Sequence, residues 1–99
     1  MQLNISGHHV QVTSAIESYL IRKLGKIEKH YESIVNGQVI LSVNQDRQHA
    51  EGRIHFSGMD LFAESTDRNL YAAIDAMTDK LDRQVTEYKR KKISKRHGT

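Results

Sequence analysis

Apolar residues recur along the chain with two periods. Between positions 69 and 92, Leu70, Ile74, Met77, Leu81, Val85 and Tyr88 follow at steps of four, three, four, four and three. That spacing is one face of an amphipathic helix. Ile16, Leu20, Leu24, Ile27 and Tyr31 keep the same spacing and predict a first helix from about Ser14 to His30. Thr13 or Ser14 can cap it, and Ser14 with Glu17 fits a capping box. Asp67 stands where it can cap the second helix. Elsewhere the period is two. Gln2 to Ser6, with Leu3 and Ile5 on one face, reads as a short strand that Gly7-His8-His9 breaks. Gln38 to Val43 turns Val39, Leu41 and Val43 inward. His49 to Ser57 turns Ala50, Gly52, Ile54 and Phe56 inward and His49, Glu51, Arg53 and His55 outward. Leu61 to Thr66 turns Leu61, Ala63 and Ser65 inward. Asn36-Gly37 reads as an irregular lead into a strand, Asn44 to Gln48 as a polar loop, and Gly58-Met59-Asp60 as a hairpin.

The predicted order is β-α-β-β-β-α, an α+β fold. A right-handed crossover joins the first two strands, and the others form a meander. About half of each strand is apolar, so one sheet face is buried, and both helices should cover it, parallel and side by side. Ninety-nine residues make one domain, expected over residues 1–92, with residues 93–99 as a short basic mobile tail. No run approaches a membrane span of roughly 18 apolar residues. No secretory leader opens the chain, so the cytoplasm is the expected address. The absence of Cys excludes disulfides, Cys-ligated zinc and a thiol nucleophile.

The net charge of +3 hides a sharper division. Residues 32–79 carry eight acids against three bases, while residues 80–99 carry eight bases against two acids. Residues 14–31 add four bases against two acids. At about 100° per residue, Arg22, Lys26 and Lys29 share one flank of the first helix with Lys23 beside them. Lys80, Arg83, Arg90 and Lys91 share a flank of the second helix by the same count, and its acids Asp75, Asp79 and Asp82 take the other. The basic flanks of parallel helices can form one stripe, and Lys89 to Lys92 add a dense basic end. Sorted charge of this kind is the footprint of a polyanion-binding surface.

Several of these residues carry a family resemblance. Leu70-Tyr71-Ala72-Ala73-Ile74-Asp75, with Asp79-Lys80-Leu81 and Arg83-Gln84-Val85, resembles the signature helix of the bacterial ribosome hibernation promoting factors. Leu3-Asn4-Ile5-Ser6-Gly7, Val12-Thr13, Lys23-Leu24 and Lys26-Ile27-Glu28 match the same family, over residues 1 to about 92. The resemblance implies a sandwich related to double-stranded-RNA-binding domains. It also implies binding to 16S ribosomal RNA (rRNA) of the small subunit, over the tRNA and mRNA sites, so that idle ribosomes stay inactive. Family contacts carry over to Lys23, Lys26, Lys80, Arg83, Lys89 and Lys91; Arg22, Lys29, Arg90 and Lys92 extend the patch on charge alone. The chain looks like the family's short form, which works with ribosome modulation factor to favour paired 100S ribosomes. With no room for a dimerising domain, the free protein is expected to be a monomer.

Other functions have weaker support. No nucleophile-base pattern or Gly-rich phosphate loop marks an enzyme. His55 and Glu64 are placed as neighbours on the open sheet face, where solvated strand residues explain them. His8-His9 lacks metal-ligand spacing, and no metal, cofactor, membrane or small-molecule substrate is expected. An RNA-recognition sheet would show stacking aromatics, whereas Phe62 is the only aromatic expected outward. Tyr71 and Tyr88 read as core or helix-seam residues. Gly25, opposite the first helix core, reads as a tolerated surface glycine. A generic double-stranded-RNA binder is the alternative function.

Overall fold

The alternating segments pair into one four-stranded sheet, described here for residues 1–30, 34–56 and 58–98 of a computed structural model. The elements are β1 (Gln2–His8), α1 (Ser14–His30), β2 (Ile34–Asn44), β3 (Arg47–Phe56), β4 (Met59–Asp67) and α2 (Leu70–Gly98). Spatial order follows chain order, β1-β2-β3-β4. β1 runs parallel to β2, while β2/β3 and β3/β4 are antiparallel. A β-α-β-β-β-α fold with a mixed sheet results.

Leu20, Leu24 and Ile27 of α1, Val39, Leu41, Ile54 and Phe56 of the sheet, and Ile74, Met77, Leu81 and Val85 of α2 are all buried in one cluster. One core takes residues from both helices and one sheet face, so the helices share that face. Their direction follows from two contacts at the same offset. The Tyr19 ring meets Tyr71 edge-on at 4.9 Å, and Lys23 pairs with Asp75 at 3.1 Å. Both pairs are 52 positions apart and ascend together, so the helices are parallel.

Local chemistry moves several boundaries. Thr13 caps α1: its Oγ1 accepts from Ile16 N at 3.2 Å and its carbonyl from Glu17 N at 3.0 Å. Asn69, not Asp67, caps α2, with Oδ1 accepting from Tyr71 N at 2.9 Å and Ala72 N at 3.3 Å. Asp67 Oδ1 instead accepts from Asn69 N at 2.9 Å and shapes the turn before the cap. β2 begins at Ile34, with a bulge between Ile34 and Asn36, and Gly37 pairs with Leu3 and Ile54 inside the strand. The polar loop shrinks to the two-residue turn Gln45-Asp46, with Gln45 at φ 58°. A tight hairpin turn needs that positive φ at its first central residue. Tyr31, Ser57 and Thr99 lie outside the described residues.

The helical backbone of α2 continues to Gly98, into the segment that the sequence reads as a short basic mobile tail. No Pro or Gly interrupts residues 93–97, and Ile, Lys and Arg accept helical geometry readily. Twenty-nine helical residues span about 43 Å, which accounts for a molecule measuring 51 × 22 × 19 Å.

Candidate nucleic-acid interface

The helical layer presents alternating bands of charge. Glu28, on the outer flank of α1, meets the Met1 ammonium at 2.6 Å and so faces the β1 side. Arg22, Lys26 and Lys29 are exposed on the upper surface of α1. They line a shallow hollow with Ile21, Gly25 and Glu28. A Cβ at Gly25 would meet nothing within 4 Å, so that hollow is open to solvent. The Arg22 guanidinium lies 5.2 Å from the centre of the Tyr19 ring, a cation–π distance.

Lys23 points sideways toward α2. Its ammonium lies 3.1 Å from Asp75 Oδ1, the same oxygen that accepts the Tyr19 hydroxyl. The Tyr19 hydrogen bond, with the Lys23 charge behind it, holds the Asp75 carboxyl below its ordinary range, against partial burial. The Asp75 hydrogen bond raises both Lys23 and Tyr19. Lys23 thus joins the helices as well as contributing charge.

The opposite flank of α2 faces the free edge of the sheet. Lys80 Nζ donates to the Glu64 carbonyl at 2.8 Å, and Gln84 Nε2 to the Phe62 carbonyl at 2.9 Å. Both carbonyls belong to the edge strand β4, whose unpaired backbone groups these side chains cover. Arg83 is exposed between two hollows, one shared with Phe62, Glu64 and Lys80, the other with Asp79, Asp82 and Arg90.

These contacts revise the single stripe expected from the sequence. Asp75 faces α1 while Lys80 faces β4, so the acidic flank of α2 lies between the two basic flanks. Lys23, Arg22, Lys26 and Lys29 form one group, and Lys80, Arg83 and Arg90 a second. At the offset of 52, His30 at the end of α1 stands level with Asp82. The rest of α2 therefore projects beyond α1. Lys89, Arg90 and Lys91 are exposed on this projecting segment. Lys92 lies on the same helical backbone, and its side chain is outside the described part.

Away from the helices, His55 Nδ1 meets Asp60 Oδ1 at 2.7 Å. Its expected neighbour Glu64 instead stands opposite Glu51, with His49 Nε2 3.2 Å from its Oε2. Tyr88 packs edge-on to Phe56 at 5.1 Å, and Tyr71 sits at the helix seam. Sequence reasoning missed Asp75 and Tyr19 as the groups that orient Lys23. The signal was their position on facing helix flanks, which needs the interhelical register to be read. Among the described residues, no helix is long and apolar enough to cross a membrane.

Known proteins share this fold. Residues 3–93 match the family described as sigma 54 modulation protein / S30EA ribosomal protein. A ribosome hibernation promoting factor of Azotobacter vinelandii is 41% identical over 98 residues, covering 99% of this chain and 92% of that protein. The factor of the same name from Escherichia coli K12 is 35% identical over 91 residues, covering 92% and 96%. The N-terminal domain of Thermus thermophilus Protein Y superposes with a TM-score of 0.83 at 30% identity, covering 89% of this chain and 99% of that one. A ribosomal subunit interface protein from Coxiella burnetii shares the fold, with a TM-score of 0.85 at 22% identity, covering 91% and 99%. The chain belongs to the sigma 54 modulation protein / S30EA ribosomal protein family, the non-enzymatic family of the ribosome hibernation promoting factors.

Proposed function

We propose that this protein binds 16S rRNA of the small ribosomal subunit, over the tRNA and mRNA sites, and keeps idle cytoplasmic ribosomes from translating. The observation that carries the reading is the cationic helical surface, above all the segment of α2 that projects past α1 with Lys89, Arg90 and Lys91 exposed. A folded body with a basic helical arm suits a ribosomal cleft lined by phosphates better than a flat duplex. The body comprises residues 1–92, and the basic end beyond them extends the arm. Arg22, Lys23, Lys26 and Lys29 contact RNA from α1, and Lys80, Arg83 and Lys89 to Lys92 from α2. The names of the relatives, ribosome hibernation promoting factors, support the same reading. Acting with ribosome modulation factor on the same ribosomes, the protein favours paired 100S particles in stationary phase or stress.

The order α1-β2-β3-β4-α2 also favours a second reading, a generic double-stranded-RNA binder. Sedimentation separates the two. Purified protein added to ribosomes should travel with 30S and 70S particles and block their use of mRNA, and excess unrelated RNA duplex should not displace it. Adding ribosome modulation factor should then raise the 100S fraction. Equal capture by any duplex would favour the generic reading, and no association with the small subunit would end the proposal.

A further inference from the structure

The open face of the sheet, on the far side from both helices, carries a cluster that RNA binding does not use. His49 and Glu51 are two residues apart on β3 and project to the same side. Glu64 on β4 stands directly opposite Glu51, and Thr66 directly opposite His49. His49 Nε2 lies 3.4 Å from Glu51 Oε1 and 3.2 Å from Glu64 Oε2. All three potential ligand atoms lie within 4.8 Å of one another. On the other side of the ring, His49 Nδ1 is 2.7 Å from Thr66 Oγ1.

Two features of this arrangement point to a metal ion. First, like charges directly across an antiparallel pair repel, so Glu51 and Glu64 call for positive charge between them. When Nδ1 carries the proton and donates it to Thr66, the Nε2 lone pair also faces both carboxylates, and a metal cation between them reconciles the three. Second, the two His49–carboxylate spacings match. With metal–ligand bonds of about 2.0–2.2 Å, the edges of a tetrahedral zinc site are about 3.3–3.5 Å long. Both measured Nε2–oxygen separations lie close to that length.

We propose that His49 Nε2, Glu51 and Glu64 form a site for a divalent cation of the Zn(II) class. Thr66 holds the ring in the metal-binding tautomer, as the outer partner of a ligating His does. Neighbouring strands fix the spacing of the three ligands, and a fourth position faces solvent for water or an outside donor. Among the described residues, His55 and Asp60 offer only two ligands.

Isothermal titration of the full chain with zinc chloride near neutral pH tests the site. One zinc ion should bind per chain, and His49 ring resonances should shift on addition while those of His55 stay in place. Substituting Co(II) should give the strong visible absorption of a tetrahedral centre. His49→Gln and the near-isosteric Glu64→Gln should each weaken binding about tenfold or more, with unchanged far-ultraviolet circular dichroism showing that the sheet is intact. A double variant, His8→Asn with His9→Asn, should bind as the parent does. Absence of saturable zinc binding would show the cluster to be an ion-paired histidine and overturn the proposal. So would binding that survives His49→Gln or disappears with the His8/His9 double variant.

Discussion

Asp75 joins two roles in one carboxylate oxygen: it accepts the Tyr19 hydroxyl and pairs with the Lys23 ammonium at 3.1 Å. Its folded pKa lies below the ordinary 3.8, first because of the Tyr19 hydrogen bond. The stability this confers is therefore present above about pH 3.8 and lost as pH falls through the lower folded value. Tyr19 and Lys23 are raised above 10.0 and 10.5, chiefly by Asp75, so their contributions are present below those values and lost as pH rises through the folded ones. Asp75→Asn keeps an acceptor for Tyr19 but removes the charge. With the Asp75 side chain 42% exposed, screening should limit the loss to about 1 kcal/mol or less. Melting temperatures of parent and variant should differ at neutral pH and converge in acid below the Asp75 pKa. A constant difference down to acid pH would show that charge at Asp75 does not contribute. Such a triad was only partly legible in the sequence. Angular position put Lys23 near the rim of the α1 core, but which residue it meets depends on how two helices 52 positions apart in sequence slide against each other.

Elements were more legible than their ends. Helical and alternating periods placed α1 at its observed bounds and turned Val39, Leu41, Ala50, Ile54, Phe56 and Ala63 toward the core where they are found. Turn chemistry misled where unusual residues adopt demanding backbone. Gln45 takes the positive φ that Gly or Asn would have signalled, and Gly37, a residue associated with turns, lies inside β2. The closeness of α2 to the sheet was hidden as well, although Gly52 hints at it. A Cβ at Gly52 would collide with the Met77 sulfur and come within 3.0 Å of Leu81 Cδ1. Gly52→Ala should thus overpack the β3–α2 contact and cost about 1–3 kcal/mol. The expected signature is a lower urea midpoint with an unchanged slope. Adding Met77→Ala should recover part of the loss, a positive coupling between residues in contact. Independent, additive losses would mean that Met77 already has room to swing aside.

At the scale of the whole molecule, charge is arranged in bands. The acidic flank of α2 separates a basic group on α1 from one on α2, and beyond the end of α1 the helix is predominantly basic, with Glu87 as its one acid. A polyanion lying across the helices must bridge the acidic band or enter along the projecting arm. Testing this requires residues without a structural role. Lys23 and Lys80 are poor choices, since one holds the helix seam and the other covers the β4 edge. Lys26 and Lys29 on α1, and Arg83 and Arg90 on α2, are exposed, so changing either pair to Glu should move stability by only about 0.5 kcal/mol per site. Each pair should weaken small-subunit binding about tenfold or more. Each should also flatten its dependence on log salt concentration by about 1.5 to 2, as two phosphate contacts are lost. Arg47 and Arg53, at the start of β3 and on the open sheet face, supply the matched control with the same change in net charge. Their reversal should leave affinity within about twofold. If the control pair weakens binding as much as the helical pairs, net charge alone governs association and the helical surface is not the site. If only the α2 pair matters, the arm is the contact and the acidic band keeps α1 clear of RNA.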